Sequence, residues 1–190
     1  MNPLLSILIP TLPIRKTKFD NLISQLELQI KEGNYQSVVE VISLLDNKEM
    51  TIGAKRNRMI EMSAGKYVCF VDDDDMVSPD YIEKIIGAIN QYPDVITFCG
   101  RYFKDGVFQQ DFTISLDVEH LDTPKHLYRK PHHLCPVKRY IAMDCPYPNI
   151  NNGEDSAYSE LLNRFLLTEY HIKAQIYDYL FSTKETETQK

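Results

Sequence analysis

A single α/β domain, with a mostly parallel mixed sheet flanked by helices, is the fold class predicted for this chain of 190 residues. Three observations predict it. Short β-branched runs alternate with segments of helical periodicity, as βαβ units require. With 43% hydrophobic residues the chain can fill one substantial core, but hardly two. An acidic run, Asp72 to Asp75, directly follows one of the apolar runs, where open parallel sheets place their ligands.

The elements follow in order. Ser6 to Pro10 is an apolar run stopped by proline and reads as a strand buried on both faces. From Lys18 to Glu32, Phe19, Leu22, Ile23, Leu26 and Ile30 recur at helical spacing, and Gly33-Asn34 ends the helix. Val38 to Leu45 is a second strand, Gly53 to Met62 a shorter helix, Tyr67 to Val71 a third strand and Pro79 to Asn90 a helix with Tyr81, Ile82, Ile85, Ile86 and Ile89 inward. Val95 to Cys99 is a fourth strand. Tyr102 to Phe112 reads as a hairpin turning at Lys104-Asp105-Gly106, which makes the sheet mixed. Leu116 to Asn152, rich in His, Pro and Tyr, reads as a long loop with short helices. Asp155 to Leu167 is helical, His171 to Phe181 strand-like, and 182–190 a polar tail.

Composition narrows the function classes. A formal net charge of -6 disfavours a surface that holds nucleic acid by charge alone. No stretch reaches the roughly 18 apolar residues of a membrane span, and the N-terminus lacks a signal pattern, so a cytoplasmic protein is expected. Cys69, Cys99, Cys135 and Cys145 form no Cys-x-x-Cys pair and are expected as reduced core thiols, without zinc. Neither a Gly-x-Gly-x-x-Gly nor a phosphate-loop motif is present.

Four adjacent carboxylates at a sheet edge repel one another unless a cation joins them. Mg²⁺ and Mn²⁺ take oxygen ligands and are often held by one or two carboxylates plus substrate phosphates, so the run fits a metal-diphosphate site. A solvated turn capping the helix near Pro79 explains the same residues without a metal. An EF-hand does not fit, because Met76 and Val77 stand where an oxygen ligand and glycine are needed.

Four segments together resemble family 2 of the glycosyltransferases with the GT-A (Rossmann-like) fold. They are Ser6-Ile7-Leu8-Ile9-Pro10-Thr11, Val41 to Asp46, Gly53-Ala54-Lys55-Arg56-Asn57 with Ala64 to Asp75, and Asn152-Gly153-Glu154-Asp155. The resemblance implies an inverting transferase that moves a hexose from a nucleotide-sugar, commonly a UDP-sugar, to an acceptor hydroxyl, with Mn²⁺ or Mg²⁺ on the diphosphate. It implies that Pro10 and Thr11 close the base and ribose site, that Asp46 hydrogen-bonds the base, and that Lys55 and Arg56 lie along the phosphates. Asp72 and Asp74 fall on the Asp-x-Asp motif: Asp74 would ligate the metal, and Asp72 would face the ribose or the metal's water shell. Asp73 is placed with the nucleotide-binding residues, and Asp178 at a further metal-ligand position. Asp155 would be the catalytic base and Glu154 its partner or an acceptor ligand, although both also suit a helix first turn.

Residues 1–181 then form the transferase domain, with 1–100 as the nucleotide-binding half and 101–181 as the acceptor-side half. A glycan or glycolipid precursor is the favoured acceptor, with protein or a modified nucleobase open, and single additions are favoured over processive synthesis. His132 and His133 are open between donor phosphates, acceptor and plain solvation. Two other readings remain: a haloacid-dehalogenase-type phosphohydrolase using Asp73 and Asp75, or a non-catalytic nucleotide-sugar-binding module.

Overall fold

Among the described residues ten strands form one mixed sheet, and the order β2-β1-β3-β9-β5-β6-β8-β7 runs across it. A computed structural model of the chain describes residues 2–183; of the expected polar tail, 184–190 lie outside the described residues. The strands are β1 Leu5–Thr11, β2 Val39–Leu45, β3 Tyr67–Phe70, β4 Met76–Val77, β5 Val95–Lys104, β6 Val107–Ile114, β7 Leu121–Asp122, β8 His126–Arg129, β9 Val137–Lys138 and β10 Glu169–Phe181. The helices are α1 Lys16–Glu32, α2 Ile52–Met62, α3 Tyr81–Ile89, α4 Arg139–Asp144 and α5 Glu154–Leu162. The longest ladders, β1 with β2 and β10 with β5, are parallel, and β6 runs antiparallel to β5 as the hairpin reading expects.

β1 is buried along its whole length between β2 and β3, which is why its residues are apolar on both faces. α1 lays Leu22 and Leu26 on the core. Its two glutamines act as backbone surrogates: Gln25 donates to the Val77 carbonyl at 2.6 Å and Gln29 to the Ser78 carbonyl at 2.9 Å. The Gln29 side-chain oxygen accepts from the Ile82 amide at 3.0 Å, so one helix positions both the strand after the acidic run and the start of α3.

Several boundaries differ from expectation for identifiable reasons. β5 continues to Lys104, because β10 supplies a parallel partner along its full length. The 116–152 segment contains three short strands as well as α4. β9 bridges β3 and β5, a pairing of two residues that carries no periodicity in sequence. α5 ends at Leu162 rather than Leu167, with Asn163 folding its side-chain amide back to the Ser159 carbonyl at 2.7 Å. Cys99 is half-buried rather than in the core, unlike the other three cysteines, and all four are free thiols.

Asp94 ties three elements together. Its carboxylate accepts from Lys138 Nζ at 2.9 Å and from the Leu167 and Thr168 amides at 3.0 Å each, holding β9 and the approach to β10 against the start of β5. Burial works against ionisation of Asp94, and these three donors outweigh it and hold the carboxyl below its usual range. The folded state therefore favours the ionised form. The contribution is complete above the unfolded value of about 3.9 and is lost as pH falls through the lower folded value. Asp94→Asn is expected to cost about 2 kcal/mol at neutral pH in urea unfolding, with the gap to wild type closing as pH falls below about 4; a gap independent of pH would contradict this.

Candidate active site

The loops after β1 and β3 and the start of α5 converge on a cleft of about 180 Å³ lined by Pro10, Thr11, Arg15, Lys55, Arg56, Asp72, Asp73, Asp74, Glu154 and Asp155. Every expected site residue except Asp46 and Asp178 lines it. The parallel strands β1 and β3 end here, as the rule for open α/β sheets requires.

The segment Gly53 to Asn57 brings the two halves together. A side chain on Gly53 would collide with the Pro148 carbonyl at 1.9 Å, so only glycine lets the 148–150 strand of chain lie on α2. Asn57 exchanges two hydrogen bonds with the Tyr147 backbone, at 2.9 and 2.8 Å. Gly153, with φ of 83° in the left-handed region, then turns the chain into α5 and presents Glu154 and Asp155 in its first turn.

Arg56 is the hub. Its guanidinium is buried, contacts Asp72 at 3.2 Å and Glu154 at 3.3 Å, and pairs with Asp155. The rings of Phe70 and Tyr147 lie 5.5 and 5.6 Å from its central carbon. This guanidinium is committed to three carboxylates. Lys55 is likewise buried in an ion pair with Asp46 and donates to the Thr11 carbonyl at 3.2 Å. Asp46 also accepts from the Glu49 and Met50 amides at 3.0 and 3.1 Å. Burial opposes ionisation of Asp46, but the Lys55 and amide bonds hold its carboxyl low. Asp46 and Lys55 therefore lock the loops after β1 and β2 to α2 beside the cleft.

The acidic run divides by environment. Asp73 is 1% exposed and accepts from Thr11 Oγ1 at 2.7 Å and Arg15 at 2.8 Å. Asp75 is 2% exposed and accepts from the Tyr177 hydroxyl and the Leu180 amide, each at 2.7 Å. Burial, with Asp72 and Asp74 nearby, pushes the Asp75 carboxyl well up. Both carboxylates are spent on fixing the turn, which leaves a phosphohydrolase no exposed nucleophile at these positions. Asp72 and Asp74 are the more exposed carboxylates of the run on the cleft wall. Burial, only partly offset by Arg15, and the neighbouring Asp72 and Asp73 push Asp74 up to about 6. Burial acts in the same direction on Asp72, but His133 and Arg56 dominate and hold it well below the usual range.

Arg15 and Tyr177 carried no clear signal in sequence, and His133 is one of the two histidines whose role the sequence leaves open. Arg15, in the 3-10 turn Pro13–Arg15, reaches Asp73 and Asp74, the latter at 3.3 Å. Tyr177 on β10 donates its hydroxyl to Asp75 at 2.7 Å and accepts from the Asp72 amide at 3.3 Å. His133 stands between the two halves, with Nε2 3.3 Å from Asp72 and Nδ1 3.2 Å from Asp155. Burial, reinforced by Arg56, lowers the pKa of the His133 ring, while the Asp72 carboxylate pulls it the other way. Asp178 is not brought to the cleft; Arg101 holds both of its oxygens at 2.7 Å.

A second cavity of about 380 Å³ opens behind α5, lined by Arg129, His132, His133, Asp155, Ser156 and Ser159 among others. Asp155 is the residue it shares with the cleft.

Residues 29–146, more than half of the chain, match the sequence profile described as Glycosyl transferase family 2. The chain belongs to this family. A relative within reach by sequence is EpsH of Bacillus subtilis (strain 168), named as a presumed glycosyltransferase, which is 29% identical over 97 residues spanning 50% of this chain and 28% of EpsH. The fold is that of the GT-A glycosyltransferases. S. aureus TarS 1-349 in complex with UDP-GlcNAc superimposes with a TM-score of 0.65 at 14% identity, covering 97% of this chain and 60% of TarS 1-349. The complex of TarS 1-349 with UDP gives 0.65 at 14% identity, over 94% and 61% of the two chains. The family 2 chain thus spans 60% of the TarS fragment and little more than a quarter of EpsH. No helix among its described residues is long and apolar enough to cross a membrane.

Proposed function

We propose that this family 2 chain is an inverting transferase that moves a hexose from a UDP-sugar to an acceptor hydroxyl, with Asp155 as the base. The carrying observation is that Asp155 lines both the acidic cleft and the second cavity, so one carboxylate can face a donor on one side and an acceptor on the other. The UDP-sugar is suggested by the likeness to TarS, whose structure holds UDP-GlcNAc.

The donor set suits a divalent cation. Asp74 and Asp72 offer hard carboxylate oxygens, and the mutual repulsion within the acidic run is relieved by positive charge. Among the described residues no three His, Cys, Asp or Glu side chains form a ready-made metal site, and an ion held by Asp74 and Asp72 would take further oxygens from diphosphate and water. When bound, Mn²⁺ or Mg²⁺ supplies Lewis acidity against the charge that develops on the departing diphosphate. Arg15, beside Asp74, lines the same wall and adds a donor for a phosphate oxygen.

Asp155, ion-paired with Arg56, is a carboxylate before the acceptor arrives. It takes the proton of the acceptor hydroxyl as that oxygen attacks the anomeric carbon from the face opposite the leaving diphosphate. Asp155 then carries that proton, with Nδ1 of His133 3.2 Å from its carboxyl and Nε2 3.3 Å from Asp72. Glu154, held by Arg56 at 3.3 Å, keeps the start of α5 in register with the cleft.

The test is thermal unfolding with UDP, with and without Mn²⁺. At saturating ligand the wild type is expected to gain about 5 °C, only when both are present, and Asp74→Ala to lose the gain. No metal-requiring gain, or an equal gain in Asp74→Ala, would sink the proposed donor site.

A further inference from the structure

We propose that Cys99 is a reactive thiol assisted by His171, and that it forms a mixed disulfide with low-molecular-weight disulfides. None of the residues involved lines the cleft, so the proposal does not depend on the transferase reading.

Cys99 lies on β5 with its sulfur 3.7 Å from Nε2 of His171 on β10 and 3.4 Å from the Thr113 hydroxyl on β6. The neighbouring bonds assign the histidine tautomer. Thr97 donates its single hydroxyl proton to Glu169, and Thr97 Oγ1 also lies 2.9 Å from Nδ1 of His171. Because the threonine proton is already given to the carboxylate, Nδ1–H of His171 must be the donor in that contact. In the neutral ring Nε2 is then the nitrogen without a proton, and it faces the Cys99 sulfur. Glu169 is itself fixed by the Ser115 hydroxyl and the Leu116 amide, each at 3.1 Å. The arrangement is a nucleophile, a base and a group orienting the base, in the order such activation requires.

The charged and titratable groups around the thiol are Glu169 and His171 on β10 and, through a 2.9 Å contact with Thr113, His126 on β8. A metal site does not explain the cluster: the oxygens of Glu169 are taken by Thr97, Ser115 and Leu116, which leaves one sulfur and one ring nitrogen. Cys99 is also the half-buried cysteine, whereas Cys69, Cys135 and Cys145 are buried. Burial pushes Cys69 up to about 12 and Cys145 up to about 11.

In the reaction, Nε2 of His171 takes the Cys99 proton and the sulfur attacks one sulfur of the disulfide. The new S–S bond forms as the old one breaks, and the departing thiolate takes the proton from His171. One disulfide and one thiol thus give one mixed disulfide and one thiol, with no further oxidant.

The experiment treats the folded full chain with glutathione disulfide and maps the adduct by peptide mass spectrometry. The adduct is expected on Cys99, about tenfold slower at neutral pH in His171→Gln and about threefold slower in Glu169→Gln. Between about pH 6 and 8 the wild-type rate should climb less steeply than the tenfold per unit of an unassisted thiol, and His171→Gln should restore that steep climb. If His171→Gln does not fold, as judged by its thermal transition, Glu169→Gln and the wild-type profile decide. An adduct spread over several cysteines, or rates and profiles unchanged in a folded variant, would overturn the proposal.

Discussion

Replacing Asp155 by Asn is expected to cut sugar transfer about a thousandfold, read as UDP released from UDP-GlcNAc, while the UDP-dependent rise in melting temperature persists. The amide keeps the shape of the side chain and its place in the first turn of α5, but it cannot accept the hydroxyl proton. In the proposed donor site the binding residues are Asp72, Asp74 and Arg15, which also line the cleft, so the two readouts should separate. Turnover retained in Asp155→Asn would move the base elsewhere. A wild type that binds UDP with metal yet releases none from the sugar would favour a binding module.

Loss of Arg56 is the largest expected effect on stability. Arg56→Met removes the cation that Asp72, Glu154 and Asp155 share and keeps an apolar stem between Phe70 and Tyr147. Breaking a buried ion pair from one side costs about 3–5 kcal/mol, because the carboxylates left behind have no countercharge. Arg56→Lys should recover only part, since an ammonium cannot span three carboxylates as a planar guanidinium does. Urea unfolding measures both, and a loss under about 1 kcal/mol in Arg56→Met would mean that the carboxylates are solvated independently.

Periodicity made the framework legible from sequence. α1, α2 and α3 bury faces that repeat at 3.6, and β1, buried on both faces, shows instead as a nearly unbroken apolar run. β4, β7 and β9, at two residues each, have no period to read and exist because long strands offer them edges. The same logic divides the site. Asp72, Asp74, Glu154 and Asp155 stand in compact motifs, and the cleft brings them together. Arg15, His133 and Tyr177 are single residues on separate segments, joined to the acidic run only by tertiary contacts across 58, 61 and 102 positions. The charges of Lys55 and Arg56 were visible, but not their partners. Read along the chain they face phosphate, whereas in three dimensions they are neutralised by Asp46, Asp72, Glu154 and Asp155.

The bond from Tyr177 to Asp75 also sets an order of assembly. The acidic turn leaves the ribosome 102 residues before the hydroxyl that secures it. At about 5–20 residues per second, the nascent chain carries that turn for roughly 5–20 seconds without its partner. During this interval the Asp75 carboxylate has neither the Tyr177 hydroxyl nor the Leu180 amide to replace water and must remain hydrated. Arrival of β10 converts a solvated loop into a closed binding edge. The cleft is therefore completed late and in one step, and fragments released before Phe181 are left with it unfinished.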